Sequence, residues 1–357
     1  MLKIIHGADF HLDSPFSGLT PKRAAQRRGE QRELLERLAE LARKKGAGLV
    51  LLAGDLLDSE RGFPETALAL SKALASIPCP VFIAPGNHDP YTDRSIWTAL
   101  NWPDNVHIFR SHDLERVDLP GCTLWGRAFT GAHQETSPLE GLAVPGDGKL
   151  HLAVLHGCVG ERNGYGPISP AEIAASGLDY LALGHIHQGS GLNKEGNTFW
   201  AYPGCPEGRG FDELGDKGVL YVEAEPGQVK SQFVSLAKRR YEIITADITG
   251  PAGPLAAILE ALPGRTSDLI CRLILTGEGP APDLVNLEQT LAPEFYGLTL
   301  VDRTRLPRDL WARREEDTLT GLFLRTMWEK CQAEPDNQAL QLAARYGLAA
   351  LEGGEGI

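Results

Sequence analysis

Five short runs carry side chains whose types suit metal ions: Asp9-Phe10-His11, Gly54-Asp55 followed by Asp58, Gly86-Asn87-His88-Asp89, His156-Gly157 and Gly184-His185-Ile186-His187. In extended backbone the members of an i,i+2 pair project to the same side, so Asp9 with His11, and His185 with His187, can converge on ions. Asp9, His11, Asp55, Asn87, His156, His185 and His187 form a set of nitrogen and oxygen donors too large for one closed tetrahedral site, so two open, adjacent ions fit better. Imidazole and carboxylate without thiolate suit manganese, iron or zinc, and the lack of cysteine disfavours a structural zinc. Two divalent ions less Asp9, Asp55 and a hydroxide leave roughly one positive charge to meet a phosphodiester. Each motif alone reads more easily as a capped turn or a buried histidine. The five together, each at a strand exit, point to metal.

The elements that must position these residues are short apolar runs alternating with helical stretches. Leu2–Ile5, Gly48–Ala53, Val81–Ala84, Leu152–Leu155, Tyr180–Leu183 and Val219–Val222 include several that are near-continuously apolar, as strands covered on both faces are. The motifs stand at or just past strand ends, where open α/β sheets place their ligands. Lys22 to Lys45 reads as a helix with Leu34, Leu38 and Leu41 at helical spacing, and its nine Lys/Arg against four Glu suggest a solvated face before a phosphate contact. Leu236–Arg240 reads as a boundary. Beyond it the pattern restarts as strand 241–248, helix 254–262, strand 269–276, helix 283–292 and strand 297–302, a second and smaller α/β unit. Residues 303–314 carry five arginines against one Asp, with Trp311 among them as a DNA contact or part of a solvated linker. Two helical patterns follow, at about 317–331 and 338–351. Their apolar stripes, Leu319, Leu322, Phe323 and Met327, then Leu340, Ala344, Leu348 and Leu351, either pack internally or dock a partner helix.

Composition narrows the class. The chain has 357 residues, 42% of them apolar and 23% charged, which excludes wholesale disorder. No apolar run is long enough to span a bilayer and Leu2–Ile5 is too short for a signal-peptide core, so a cytoplasmic protein with no membrane contact is expected. The cysteines at 79, 122, 158, 205, 271 and 331 contain no C-x-x-C pair and suggest buried, reduced thiols. A formal net charge of −12 argues against holding nucleic acid by overall charge, so a polyanionic substrate must be drawn locally. The P-loop and the G-x-S-x-G elbow are both absent, which sets aside an NTPase and a serine hydrolase.

In this order, D-x-H, GD-x-x-D, GNHD, HG and GHxH resemble the calcineurin-like metallophosphoesterases, and ADFHLDSPF with GDLLD and GHIH is most similar to the SbcD/YhaO branch of DNA repair exonucleases. The likeness covers about residues 1–236 by motif and the later region by layout. It implies an α/β fold of two packed mixed β-sheets flanked by helices (1–236), a smaller α/β domain capping the site (241–302), and a basic linker with a helical C-terminal segment (303–357). It also implies that Asp9, His11, Asp55 and His187 hold one ion, and that Asp55 bridges to a second held by Asn87, His156 and His185, with manganese the usual activator. The activity implied is hydrolysis of DNA phosphodiester bonds, exonuclease or endonuclease, by a homodimer working with an SMC-like coiled-coil ATPase. GNHD here differs from the GNHE of phosphoprotein phosphatases, Asp58 stands where purple acid phosphatases have tyrosine, and His88 where lipid-A pathway pyrophosphatases have arginine.

On this reading His88 protonates the leaving oxygen and Asp89 orients it. Asp58 hydrogen-bonds a ligating histidine such as His11, or caps a helix, and Asp13 is open to the same two readings. Arg209, in the turn-rich segment after GHIH that resembles the YPG segment of SbcD-like nucleases, is a candidate phosphate contact. The alternatives are a small-molecule or cyclic-nucleotide phosphodiesterase of the same superfamily, and a non-catalytic, metal-braced scaffold that binds DNA ends.

Overall fold

The computed structural model describes residues 1–160, 164–250, 252–279 and 281–351. The chain divides into two units, Met1–Lys238 and Arg239–Ile357.

In the first unit the strands are β1 (Leu2–Gly7), β2 (Leu49–Leu52), β3 (Val81–Ile83), β4 (Val106–Ile108), β5 (Glu115–Leu119), β6 (Cys122–Gly126), β7 (Leu150–His156), β8 (Cys158–Val159), β9 (Pro167–Ile168), β10 (Tyr180–Gly184), β11 (Asn193–Glu195), β12 (Thr198–Ala201), β13 (Gly218–Glu225) and β14 (Gln228–Ser235). They build two six-stranded mixed sheets, β14-β13-β1-β2-β3-β4 and β11-β12-β10-β7-β6-β5, and a small β8-β9 pair. β1 to β4 run parallel, and so do β6, β7, β10 and β12. Parallel registers bring carboxyl ends together, so Gly7, Leu52 and Ile83 deliver the chain to one edge of the first sheet, and His156 and Gly184 to one edge of the second.

Alternation along each strand divides the packing. Ile4, Leu49, Leu51 and Phe82 face Leu124, Leu152, Val154 and Ala182 in the core between the sheets. Ile5, Val50, Leu52, Val81 and Ile83 face outward onto Leu34, Leu35, Leu38 and Leu41 of α1 (Pro21–Lys45) and Leu70 and Leu74 of α2 (Pro64–Ala75). Ala153, Leu155, Leu181 and Leu183 cover the far face of the second sheet, against Ile173 of α4 (Pro170–Ala175), the short α3 (Ile96–Ala99) lying earlier in the chain. His6 and Tyr180 form a polar contact across the inter-sheet core. His6 Nε2 donates to the Leu183 carbonyl at 3.1 Å and Nδ1 accepts from the Tyr180 hydroxyl at 2.8 Å. Burial pushes His6 down to about 3, so it stays neutral.

The second unit holds a parallel sheet of β15 (Arg240–Asp247), β16 (Leu269–Thr276) and β17 (Gly297–Asp302), with α5 (Gly253–Ala261) and α6 (Leu284–Leu291). Ile258, Leu273, Leu275 and Leu291 are in its core. α7 (Arg308–Ala312), α8 (Leu319–Ala333) and α9 (Gln338–Leu351) follow, and Arg345 ties α9 to the end of β17 through Asp302 at 2.6 Å. Trp311, expected as a DNA contact or part of a solvated linker, is not exposed. It is buried and packs edge-on against Trp328, with a second cluster of Leu324, Met327, Ala344 and Leu348 around it. The stripe on α8 divides: Leu324, Met327 and Cys331 are buried, whereas Leu319 and Leu322 are exposed. Among the described residues no helix is long and apolar enough to cross a membrane.

Candidate metal centre

The residues after β1, β2 and β10 leave their strands through strained backbone. Asp9, His11, Asp55 and His185 have φ of 55°, 44°, 51° and 110°, a region L-residues avoid unless the surroundings impose it. Amides of Asp9 and His11 donate to the carbonyls of Gly54 and Asp55 at 3.0 and 2.9 Å, stitching the first motif to the second. The His185 amide donates to the Asp9 carboxylate at 3.0 Å, bringing in the second sheet. A Cβ at Gly86 would overlap the Asp55 carboxylate, and one at Gly184 the Ala53 carbonyl, so both glycines are fixed by close approach.

The side chains then converge. Asp55 Oδ2 lies 3.7 Å from His11 Nε2 and 3.4 Å from His156 Nε2, between the two. Asp9, His11 and His187 bring ligand atoms within 4.8 Å of one another, as do Asp9, Asp55 and His156, and also His11, Asp58 and His88. Asn87 Oδ1 faces His156 Nε2 at 2.9 Å. His185 stands beside this group, its ring 5.2 Å from those of His156 and Tyr165.

Hydrogen bonds assign the tautomers. His11 Nδ1 donates to Asp58 Oδ1 at 3.1 Å, His187 Nδ1 to Glu213 Oε1 at 2.8 Å and His156 Nδ1 to the Ala53 carbonyl at 2.8 Å. With Nδ1 so engaged each Nε2 faces the centre, as a lone pair in neutral His11 and as an N–H in protonated His156, and those of His11 and His187 are 3.1 Å apart. Lone pairs and carboxylates in such contact require positive charge among them. The ionisation of the groups says the same. Burial raises Asp9 to about 6. Burial works against the charged form of His156, yet the Asp55 and Asp9 carboxylates push it up to about 9. Burial also opposes ionisation of Asp55, but His156 and His11 hold it well below the usual carboxylate range. Burial lowers His11 and His185 to about 4, keeping them neutral. This set of hard and borderline donors, with all six cysteines buried elsewhere or unused, fits divalent cations.

Residues 2–189, more than half of the chain, match the family model for calcineurin-like phosphoesterases. The chain belongs to that family. This phosphoesterase is 30% identical over 340 residues to the uncharacterized metallophosphoesterase YhaO of Bacillus subtilis (strain 168), covering 88% of this chain and 81% of that protein. It is 26% identical over 270 residues to the DNA double-strand break repair protein Mre11 of Aeropyrum pernix, covering 70% of this chain and 64% of that one. The family uses divalent metals, and the phosphoesterase brings candidate ligand clusters together.

One expectation from the sequence is corrected. Asp89 does not orient His88: it is fully buried, and its oxygens accept the amides of Gly86, Asp55, Leu56 and Leu57. It knits the Asp55 and Asn87 loops together. His88 is instead held by its Nδ1, which donates to the Asp58 carbonyl at 3.2 Å, and its ring is exposed, edge-on to His11 at 4.7 Å. Arg209, the candidate phosphate contact, is held between two carboxylates. Its guanidinium donates to Asp58 Oδ1 at 3.2 Å and Glu213 Oε1 at 2.7 Å, and its amide to Glu213 Oε2 at 2.8 Å. Asp58 thus bonds both His11 and Arg209. Asp13 accepts from the Phe63 amide at 2.8 Å and the Thr66 hydroxyl at 2.6 Å, at the start of α2. Glu213 was not foreseen. Its contact with His187 comes from a loop returning 26 residues later, and no local pattern marks it.

Proposed function

We propose that this phosphoesterase is a dinuclear-metal phosphodiesterase that hydrolyses DNA, a cytoplasmic exonuclease or endonuclease subunit acting in repair. Asp9, His11, Asp55 and His187 would hold one ion, and Asp55, Asn87, His156 and His185 the other, with manganese the favoured metal. Bound there, the ions supply Lewis acidity to the phosphoryl group. Asp58 and Glu213 keep the Nε2 lone pairs of His11 and His187 aimed at the site, and the Ala53 carbonyl does so for His156. His88 is anchored by Nδ1 and exposed, and through Nε2 its protonated form would give a proton to the leaving oxygen. The observation that carries the reading is this lone-pair and carboxylate cluster at the parallel-strand ends with an exposed imidazole at its rim.

DNA is favoured as substrate by the likeness to Mre11, a protein named for double-strand break repair. An SMC-like coiled-coil ATPase as partner, a homodimer, 241–302 as the cap and 303–357 as the docking segment are proposed with it, on the motif resemblance.

The test is incubation of purified protein and Mn²⁺ with end-labelled duplex and single-stranded DNA, beside cyclic nucleotides and bis-aryl phosphates. Manganese-dependent DNA cleavage is expected, falling by about 10²–10⁴ in His88→Ala, the usual range for a positioned acid. Cleavage of the small diesters alone refutes the nuclease reading. No hydrolysis with any divalent metal favours a DNA-end scaffold.

A further inference from the structure

Helix α1 buries charge where an amphipathic surface helix would bury apolar groups. Arg27 is fully buried, and Glu30 and Gln31 nearly so. Arg27 Nη1 donates to Glu30 Oε2 at 2.9 Å and to Glu207 Oε1, Nη2 donates to the Gly208 carbonyl at 3.0 Å, and the Phe16 ring lies 5.2 Å from the guanidinium. Glu207 is itself buried and has a second cation, Arg37, at 3.7 Å. Desolvating such a cluster costs about as much as its attraction returns, so its presence is poorly explained by stability. What it holds in place is the backbone at Glu207-Gly208, directly before Arg209.

Arg209 grips Glu213 with its amide and guanidinium, and Glu213 receives His187 Nδ1–H. The other arm of Arg209 reaches Asp58, which receives His11 Nδ1–H. From the same face of α1, Gln31 Nε2 donates to the His11 carbonyl at 3.1 Å. The histidines whose Nε2 atoms face each other are thus both held through one arginine, whose entry point Arg27 clamps. The opposite side of the centre has separate supports: the Ala53 carbonyl for His156, and Asp89 for the Asn87 loop.

We propose that Arg27 is a positioning residue which, through Glu207 and Gly208, sets the frame of Arg209, Glu213 and Asp58 and so prepares His11 and His187 for one of the two cations. The role rests on the metal reading above and concerns one side of that centre only.

The test is calorimetric titration of the metal-free, full-length chain with Mn²⁺ and no substrate. The wild type should bind two ions. Arg27→Met should weaken one event about tenfold, the lower end of the effect of losing an outer support of a metal site, and leave the other within about twofold. Arg27→Lys should not restore it, because a compact ammonium cannot serve the Glu207 carboxylate and the Gly208 carbonyl as a fork does. Glu207→Gln, which removes the contact from the other side, should weaken the same event, and the double variant should cost less than the sum of the two. If Arg27→Met does not fold by circular dichroism, Glu207→Gln decides. Equal weakening of both events overturns the proposal, as does a lowered melting temperature with both events unchanged. A wild type that binds fewer than two ions refutes the metal reading instead.

Discussion

Asp89→Asn asks whether this carboxylate serves the loops or His88. Oδ1 accepts the amides of Gly86 and Asp55 at 2.8 and 3.2 Å, and Oδ2 those of Leu56 and Leu57 at 2.7 and 3.2 Å. Asparagine has the same shape but keeps one acceptor only, and turns its NH₂ toward the other pair of amides. Burial and the Asp55 carboxylate push Asp89 up to about 8, so the loss is that of leaving two buried amides without an acceptor, at about 1–3 kcal/mol each, and the first unit should lose roughly 2–6 kcal/mol. That is a large part of what a domain possesses. The assay is urea unfolding of the metal-free chain, followed by circular dichroism, for Asp89→Asn, His88→Ala and the double variant. His88 is exposed, so its replacement should shift stability by less than about 0.5 kcal/mol. Mn²⁺ affinity should fall in Asp89→Asn and hold in His88→Ala. The reasoning fails if Asp89→Asn unfolds within about 1 kcal/mol of wild type and its loss of hydrolysis is no deeper when His88→Ala is added. That pattern belongs to a residue acting only through His88.

Glu213→Gln keeps the shape but removes the charge that holds His187 and Arg209, and should lower Mn²⁺ affinity about 10–100-fold by calorimetry; an unchanged titration would contradict it. Gly184→Ala places a methyl against the Ala53 carbonyl, and should lower the melting temperature and Mn²⁺ affinity together, whereas Gly227→Ala, at a turn with open space around it, should cost only the strain of its positive φ and leave Mn²⁺ affinity alone. Burial lowers His6 from 6.5 to about 3, so the folded chain takes up this proton later than the unfolded one. Its contribution is therefore complete above about pH 6.5 and declines as pH falls toward 3. By pH 4.5 the decline is roughly 2–3 kcal/mol, and His6→Leu with Tyr180→Phe should flatten the acid limb of urea stability by that share. Parallel profiles for variant and wild type between pH 4.5 and 6.5 would rule this out.

Much of the centre could be read from the chain because its donors follow their strands at once. Asp9, Asp55, Asn87, His156 and His185 are placed by the carboxyl ends of parallel strands, and apolar runs reveal such strands. Direction was harder to read. Asp89 sits beside His88 in sequence, but its side chain turns inward to amides from another loop, and adjacency says nothing of that. Arg209 was visible as a cation near the motifs, while its carboxylate partners, Asp58 and Glu213, depend on how distant loops return. Trp311 among arginines looked exposed because the pattern of its own segment is basic; Trp328, which covers it, lies on α8. Edge strands such as Glu115–Leu119 and Gln228–Ser235 carry mixed polar sequence, since one face meets water.

Asp9, His11, Asp55 and His185 hold left-handed backbone that side-chain-bearing residues rarely adopt. Each such residue costs on the order of 1–3 kcal/mol, a distortion that is already present once folding is complete. Robustness and turnover therefore pull in opposite directions at these positions. Glycine there would relieve the distortion and toughen the polypeptide against heat while removing the four side chains proposed as ligands. Laboratory evolution that rewards heat resistance alone should drift toward a sturdier, inert variant, and a campaign meant to preserve catalysis has to hold these four letters fixed and seek its gains elsewhere.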